Sequence, residues 1–251
     1  MVSRAGDRIV AAVKAGAVEP TGPPPQRVAV MQPYFFPYAG YYRLLAAADL
    51  FLIFDCVQFA RRGRVHRCEV PGPSGRGEWL TLPLQAAPRD TAIAGIRLAA
   101  DARARFDARL RRLPWIEGAG GPNAARVRAW LQAPLDGWAL ADYLESTLRE
   151  TAALLGLHAR IARSSALALA PHLRGAARVI AAVQAVGGSG LVNAPGGVGL
   201  YDGAEFAAAG LTLEFLTPYE GRFRHMLPAL LQRPAHEIAE DIRATAALIR
   251  A

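Results

Sequence analysis

Two short apolar runs near the start of the chain limit what it can fold into. Arg27–Met31 (Arg-Val-Ala-Val-Met) and Asp49–Asp55 (Asp-Leu-Phe-Leu-Ile-Phe-Asp) have apolar centres with no polar alternation. A strand apolar on both faces must be covered on both faces, the condition of a buried parallel sheet. Between the runs, Pro33, Pro37 and Gly40 punctuate a loop, and Tyr41–Ala48 reads as a helix. Strand, helix and strand in roughly thirty residues is the length of one parallel βαβ unit.

The pattern continues downstream. Trp79–Leu84 alternates and ends near Pro83, as an edge strand does, and Ile93–Leu98 reads as a further strand. Ala100–Leu113 and Leu140–Leu155 are amphipathic helices, the second closed by Gly156 and followed by a strand. Arg178–Val186 is a helix closed by Gly187-Gly188. Gly190–Asn193 and Leu211–Leu216 read as strands separated by a loop at Gly197–Tyr201. Met226–Leu231 opens a helical region that continues through His236–Arg250. Alternating strands and helices without a fixed repeat predict an α/β protein with a mainly parallel sheet, Rossmann-like layers and a helical C-terminal part.

Glu19-Pro20-Thr21-Gly22-Pro23-Pro24-Pro25 is a linker whose prolines favour an extended chain. It divides a tail, residues 1–26, from one domain, residues 27–251. Met1–Ala17 is Ala/Val-rich and lacks the apolar run of a signal peptide. No stretch has the apolar length of a membrane span, so a cytoplasmic protein is expected. Cys56 and Cys68 are the two cysteines, so no disulfide framework is expected.

The net charge of +8 raises the possibility of a nucleic-acid partner. Lys14 is the only lysine, however, and Arg103, Arg105, Arg109, Arg111 and Arg112 are spaced along a helix, the pattern of a solvated face. No nucleic-acid partner is expected.

The polar residues cluster after the first two strands, where open α/β sheets bind ligands. The first cluster contains Gln32, Pro33 and Tyr34 in an aromatic-rich loop that serves equally well as packing. The second runs Asp55-Cys56-Val57-Gln58 to Val65-His66-Arg67-Cys68. Asp55 can orient His66 or act as a base, and Arg67 can clamp a phosphate or carboxylate. A cysteine nucleophile with His66 as base is one reading; two small buried hydrophobes is the other. In an extended segment His66 and Cys68 share a face, so Cys68 rather than Cys56 is the expected functional neighbour and the faster thiol to alkylate. Ser164 and Ser165 can hold a phosphate or cap a helix. No metal site is expected, because Cys56, Cys68 and His66 lack a fourth ligand at a recognisable spacing.

Met31-Gln32-Pro33-Tyr34-Phe35-Phe36-Pro37-Tyr38-Ala39-Gly40-Tyr41, followed by Asp49–Asp55, Val57-Gln58-Phe59, Arg62-Gly63, His66-Arg67 and Trp79–Pro83, resembles the signature of the WbqC-like family. Arg163-Ser164-Ser165, the stretch Leu191–Asp202 and Gly210–Leu216 are similar to its later segments. The resemblance spans about Arg27 to Arg233. It implies an enzyme of surface-glycan (O-antigen) or natural-product biosynthesis that transfers an acyl or aminoacyl group to an amine. The donor it implies is a small-molecule substrate, including one tethered to a carrier protein as a thioester, with no cofactor. It also adds His225 as a substrate-binding candidate. Cys56 stands where the family usually has a second aspartate, and Cys68-Glu69 where it often has Asn-Arg. Two alternatives remain open at this level: a nucleotide- or nucleotide-sugar-handling transferase, and a non-catalytic module that binds a carrier protein.

Overall fold

The computed structural model describes residues 23–72 and 77–251. The piece at Met1–Ala17 and the linker as far as Gly22 lie outside the described residues. The chain is mixed α/β, with a six-stranded, mostly parallel sheet and nine helices among the described residues.

The two apolar runs pair as they should. β1 (Arg27–Met31) and β2 (Leu50–Ile53) are parallel, Val28 opposite Leu50 and Met31 opposite Ile53, and α1 (Ala39–Ala47) joins them. Asp49 sets the register from one end: its Oδ2 accepts the N–H groups of Gln26 and Arg27, each at 2.9 Å. The chain then leaves the sheet. β3 (Arg67–Pro71) and β4 (Gly77–Thr81) form a separate antiparallel hairpin. α2 (Ala102–Leu110), α3 (Pro114–Gly118) and α4 (Ala124–Leu131) follow, and α5 (Leu140–Leu154) returns the chain to β5 (Arg160–Arg163), which lies parallel to β2. α6 (Gly175–Ala185) crosses to β6 (Gly190–Asn193) on the other side of β1, and α7 (Gly203–Ala208) leads to β7 (Thr212–Leu216). α8 (Met226–Gln232), α9 (Ala235–Ala244) and β8 (Leu248–Arg250) complete the chain. The strand order is β5-β2-β1-β6-β7-β8.

Side-chain alternation gives the sheet two apolar faces, each with its own core. Ala29, Phe51, Ile53 and Val192 belong to a cluster with Leu44 of α1, Leu144 of α5 and Ile238 of α9. Val28, Val30, Leu50, Leu52 and Leu213 belong to a second cluster with Val179 and Val183 of α6 and Phe206 of α7. Gly156 and Gly187 follow α5 and α6 in the left-handed region, φ +60° and +70°, where a Cβ is disfavoured and glycine ends helices.

Two expected elements differ. Ile93–Leu98 is not a strand: Ile93–Gly95 is a 3₁₀ turn, and Arg97 and Leu98 make only isolated bridges to Ala139 and Leu84. Its alternating Ile96 and Leu98 are buried as the pattern implies, but among the described residues no strand lies alongside to form a ladder. The last helix stops at Ala244 instead of continuing to Arg250. The Thr245 hydroxyl donates back to the Asp241 carbonyl at 2.7 Å, and Leu248–Arg250 pairs antiparallel with β7, covering an edge that would otherwise be open.

The arginines only partly form a solvated face. Arg105, Arg111 and Arg112 are exposed. Arg103 instead donates to the Leu131 carbonyl in the last turn of α4 and the Ala133 carbonyl just beyond it, at 2.7 and 2.9 Å. Arg128 serves the end of α3 through Ala119 (2.7 Å), and Arg243 the end of α5 through Gly156 (2.7 Å). Helix C-termini carry carbonyls without intrahelical partners, and a guanidinium with five donors can satisfy several at once. Arg43 is the buried extreme, with 0% exposure. From α1 it donates to Thr245 O beyond α9 at 2.5 Å and to Thr217 O beyond β7 at 2.8 Å, beneath the Tyr219 ring.

Arg43→Ala is expected to remove roughly 2–4 kcal/mol of stability, because it leaves two partly buried carbonyls unpaired and opens a cavity. Arg43→Lys should recover less than half of that, since one ammonium cannot replicate the fork. Urea unfolding with an unchanged m-value checks both; a loss below about 0.5 kcal/mol for the alanine variant would contradict the account.

Candidate functional site

The sheet order changes direction at β1: β2 and β5 lie on one side of it, β6 and β7 on the other. The connections leaving β1 and β6 therefore run in opposite directions, the arrangement beside which open α/β sheets bind ligands. Gln32 follows β1, Asp55 and Cys56 follow β2, Ser164 and Ser165 follow β5, and Asn193 ends β6. These residues are far apart in sequence and are gathered at one edge by parallel pairing.

Asp55 is fully buried, and both its oxygens are occupied. Oδ1 accepts from Ser164 Oγ at 3.1 Å and from the Ser165 N–H at 2.8 Å, while Oδ2 accepts from Ser165 Oγ at 2.7 Å. Ser164 Oγ also accepts the backbone N–H groups of Asp55 (3.1 Å) and Cys56 (3.2 Å). This reciprocal set clamps the end of β2 to the end of β5 and fixes the backbone that carries Cys56. A buried carboxylate is tolerable only with such donors.

Cys56 is partly exposed, and its Sγ accepts from Arg178 Nη1 at 3.3 Å. Arg178 lies in the first turn of α6, 9% exposed. It is aimed by the carbonyls of Leu173 (2.8 Å from Nε), Ala170 and Pro171 (each 3.3 Å from Nη2). The guanidinium thus has one orientation, with the sulfur in it. Sequence reasoning did not single out Arg178. The available signal was a lone charge inside the otherwise small and apolar helix Gly-Ala-Ala-Arg-Val-Ile-Ala-Ala-Val.

Asn193 opens a glycine-rich loop that reads from the sequence either as a close approach to a ligand or as a plain turn; its buried side chain accepts the Ala194 N–H at 2.8 Å. Gly197 packs so tightly on it that a Cβ there would lie 2.5 Å from Asn193 Nδ2.

His66 and Cys68 are not part of this cluster, and Asp55 is hydrogen-bonded to the serines rather than to His66. Cys68 is in β3 with its side chain in the core, 4% exposed, and burial pushes its thiol far above the usual range. The two cysteines therefore occupy the opposite places from those expected. Alternation in β3 turns Cys68 and Val70 inward, while His66, just before the strand, lines a cleft of about 400 Å³ with Phe59 and Arg109. Burial, and then the nearby charges of Arg67 and Arg109, hold the imidazole down at about 4. Its Nδ1 is buried without a hydrogen-bond partner among the described residues.

The remaining candidates are spread around the molecule. Gln58 donates from Nε2 to the Arg89 carbonyl at 2.7 Å. Arg67 donates to the carbonyls of Arg62 and Gly63 and stacks 4.2 Å from the Trp79 ring, which makes it a loop staple. The Gln32 carbonyl accepts the Tyr41 hydroxyl at 2.8 Å, Pro33 is buried, and Tyr34 packs on Tyr41 with ring centres 5.3 Å apart. That loop packs its aromatic residues as one of the two anticipated roles requires, and Gln32 follows the end of β1. His225 caps α8 and approaches the Glu69 carbonyl (3.2 Å) beside a different hollow lined by Tyr38 and Arg64.

Two measurements follow from this arrangement. Cys56 should be alkylated by iodoacetamide at neutral pH roughly tenfold or more faster than Cys68, which must await local opening. Peptide mapping reads the ratio, and equal rates would refute the placement. His66 titrates near 6.5 in the unfolded chain and near 4 in the folded one. Between these values the unfolded state binds the extra proton, so stability falls as pH drops from 6.5 to 4 and then levels off. Allowing for solvent screening at this half-exposed site, the loss is on the order of 1–2 kcal/mol. His66→Gln should flatten the profile by that amount, and an unchanged profile would refute the assignment.

No solved structure matches the chain. The uncharacterized protein Rv1507c of Mycobacterium tuberculosis (strain ATCC 25618 / H37Rv) is 33% identical to it over 64 residues, which make up 26% of this chain and 27% of that relative. The match therefore spans about a quarter of either protein. The WbqC-like protein family matches residues 32–225, from the glutamine after β1 through the histidine at the N-cap position of α8. That span takes in β2, β5, β6 and β7 and the clamp at the ends of β2 and β5, and the chain belongs to the WbqC-like protein family.

Proposed function

We propose that this chain is an acyl- or aminoacyl-transfer enzyme in which Cys56 receives the acyl group. The observation that carries the reading is the contact of Arg178 with a partly exposed Cys56 sulfur at 3.3 Å, on a backbone clamped by Asp55 and Ser164. Family membership and the place of Cys56 directly after a strand of a mostly parallel sheet support it.

In the first step the Cys56 sulfur attacks the carbonyl carbon of a thioester donor. The new carbon–sulfur bond replaces the donor's, the Cys56 proton passes to solvent, and the released donor thiolate takes one up. In the second step an amine attacks the Cys56 thioester, an amide forms, and the cysteine thiol is restored. A hydrogen bond from a fixed guanidinium is stronger to charged than to neutral sulfur, so Arg178 favours the sulfur both as it attacks and as it leaves. Asp55, Ser164 and Ser165 are positioning residues that hold the attacking atom in place. Glycan or natural-product assembly in the cytoplasm is the setting this chemistry fits, with a small-molecule or carrier-tethered donor.

Incubation with acyl-pantetheine and aminoacyl-pantetheine thioesters, followed by intact-protein mass spectrometry, tests the reading. A mass increase equal to the acyl group, mapped to Cys56 and absent from Cys56→Ala but retained in Cys68→Ala, is expected. Arg178→Met should slow acylation by roughly 10²-fold, the scale of losing one preorganised charge contact. No adduct and no donor consumption with any thioester would overturn it, and a bound but unconsumed carrier thioester would replace transfer with carrier binding.

A further inference from the structure

Away from Cys56, the His66 cleft concentrates positive charge with little to balance it. Arg61, Arg89, Arg105 and Arg109 line it together with His66 and Phe59, and none of the described lining residues is acidic. Arg105 has one carboxylate contact, to Asp101 at 3.5 Å on the exposed side of α2. Among the described residues Arg61, Arg89 and Arg109 form no ion pair. Arg61 donates to the Ala87 carbonyl at 2.8 Å and Arg109 to the Thr81 carbonyl, so each is held in place by a neutral partner.

Arg105 and Arg109 stand four residues apart on α2, where like charges face each other and repel. Burial and Arg105 both push the Arg109 guanidinium down, the direction expected of a cation that lacks an anion. A second hollow of about 630 Å³ shares Phe59, Arg61 and Arg89 and adds Arg62 and Gln58, so the basic surface continues beyond the cleft. Volumes of about 400 and 630 Å³ suit a small molecule, and guanidiniums without carboxylates suit phosphate oxygens.

We infer that this cleft binds a phosphate-bearing small molecule, with its phosphate held between Arg61, Arg105 and Arg109 and its organic part lying against Phe59 and the second hollow. The inference stands apart from the transfer reading, because none of these residues belongs to the Cys56 cluster. A phosphopantetheine arm and a nucleotide present the same phosphate chemistry to the cleft, and the experiment separates them.

Isothermal titration of the full chain with pyrophosphate, 4′-phosphopantetheine and ADP, and with pantetheine and adenosine as phosphate-free controls, tests it. Saturable binding of the phosphorylated probes and none of the controls is expected, and the tighter organic probe identifies the source. Arg109→Ala and Arg61→Ala should each weaken binding by roughly tenfold or more, the scale of one charge-assisted contact. Arg61→Ala also guards against misfolding, since Arg61 is exposed and bonds a single loop carbonyl. Arg224→Ala, outside the cleft, and Cys56→Ser should bind as the parent does; the latter keeps this result distinct from the outcome of the acylation experiment. No binding at millimolar probe, or binding that survives both arginine substitutions, would overturn the site.

Discussion

The carboxylate of Asp55 is the contact on which the rest of the site depends. It is removed entirely from water, and a buried charge persists only where donors replace its hydration. Among the described residues its donors are Ser164 and Ser165, more than a hundred residues away in sequence. Satisfying one charge therefore forces the ends of β2 and β5 together, and the Cys56 backbone is fixed as a consequence. The sheet order then places this clamp beside the point where loops diverge on either side of β1.

Arginine carries a comparable burden throughout the molecule. Nearly all the basic charge belongs to one residue type, and much of it is turned inward onto carbonyls at helix ends rather than outward to a partner. The planar fork suits this because it can satisfy several carbonyls at once while its stem packs as an apolar group. Arginines kept from carboxylates in the His66 cleft stand out against this background. There the carbonyls hold the guanidiniums in place without neutralising them.

The candidate site was legible in parts. Asp55, Ser164 and Ser165 were each visible as polar residues directly after strands, yet their mutual contact was not, because β5 reaches β2 only after the excursion through the hairpin and α2–α5. Arg178 escaped notice for the same reason: a single polar residue in a helix has no meaning until its neighbours are known. The grouping of His66 with Cys68 relied on their sharing a face of an extended segment. The strand begins only at Arg67, so His66 precedes it and turns to the cleft while Cys68 faces the core.

The sequence alone determined the parallel βαβ start, the central strands, and the glycine-ended helices. These follow from local period and backbone preference, which act over a few residues and can be read in order along the chain. It could not determine that Leu248–Arg250 pairs with β7, that Ile93–Leu98 lacks a partner strand, or which cysteine meets solvent. Those outcomes depend on whether an open sheet edge, a neighbouring ladder or an apolar core lies alongside, and only the tertiary arrangement supplies or withholds such surroundings. Side-chain chemistry stated which groups could serve; long-range packing decided that Cys56 meets Arg178 and Cys68 meets the core.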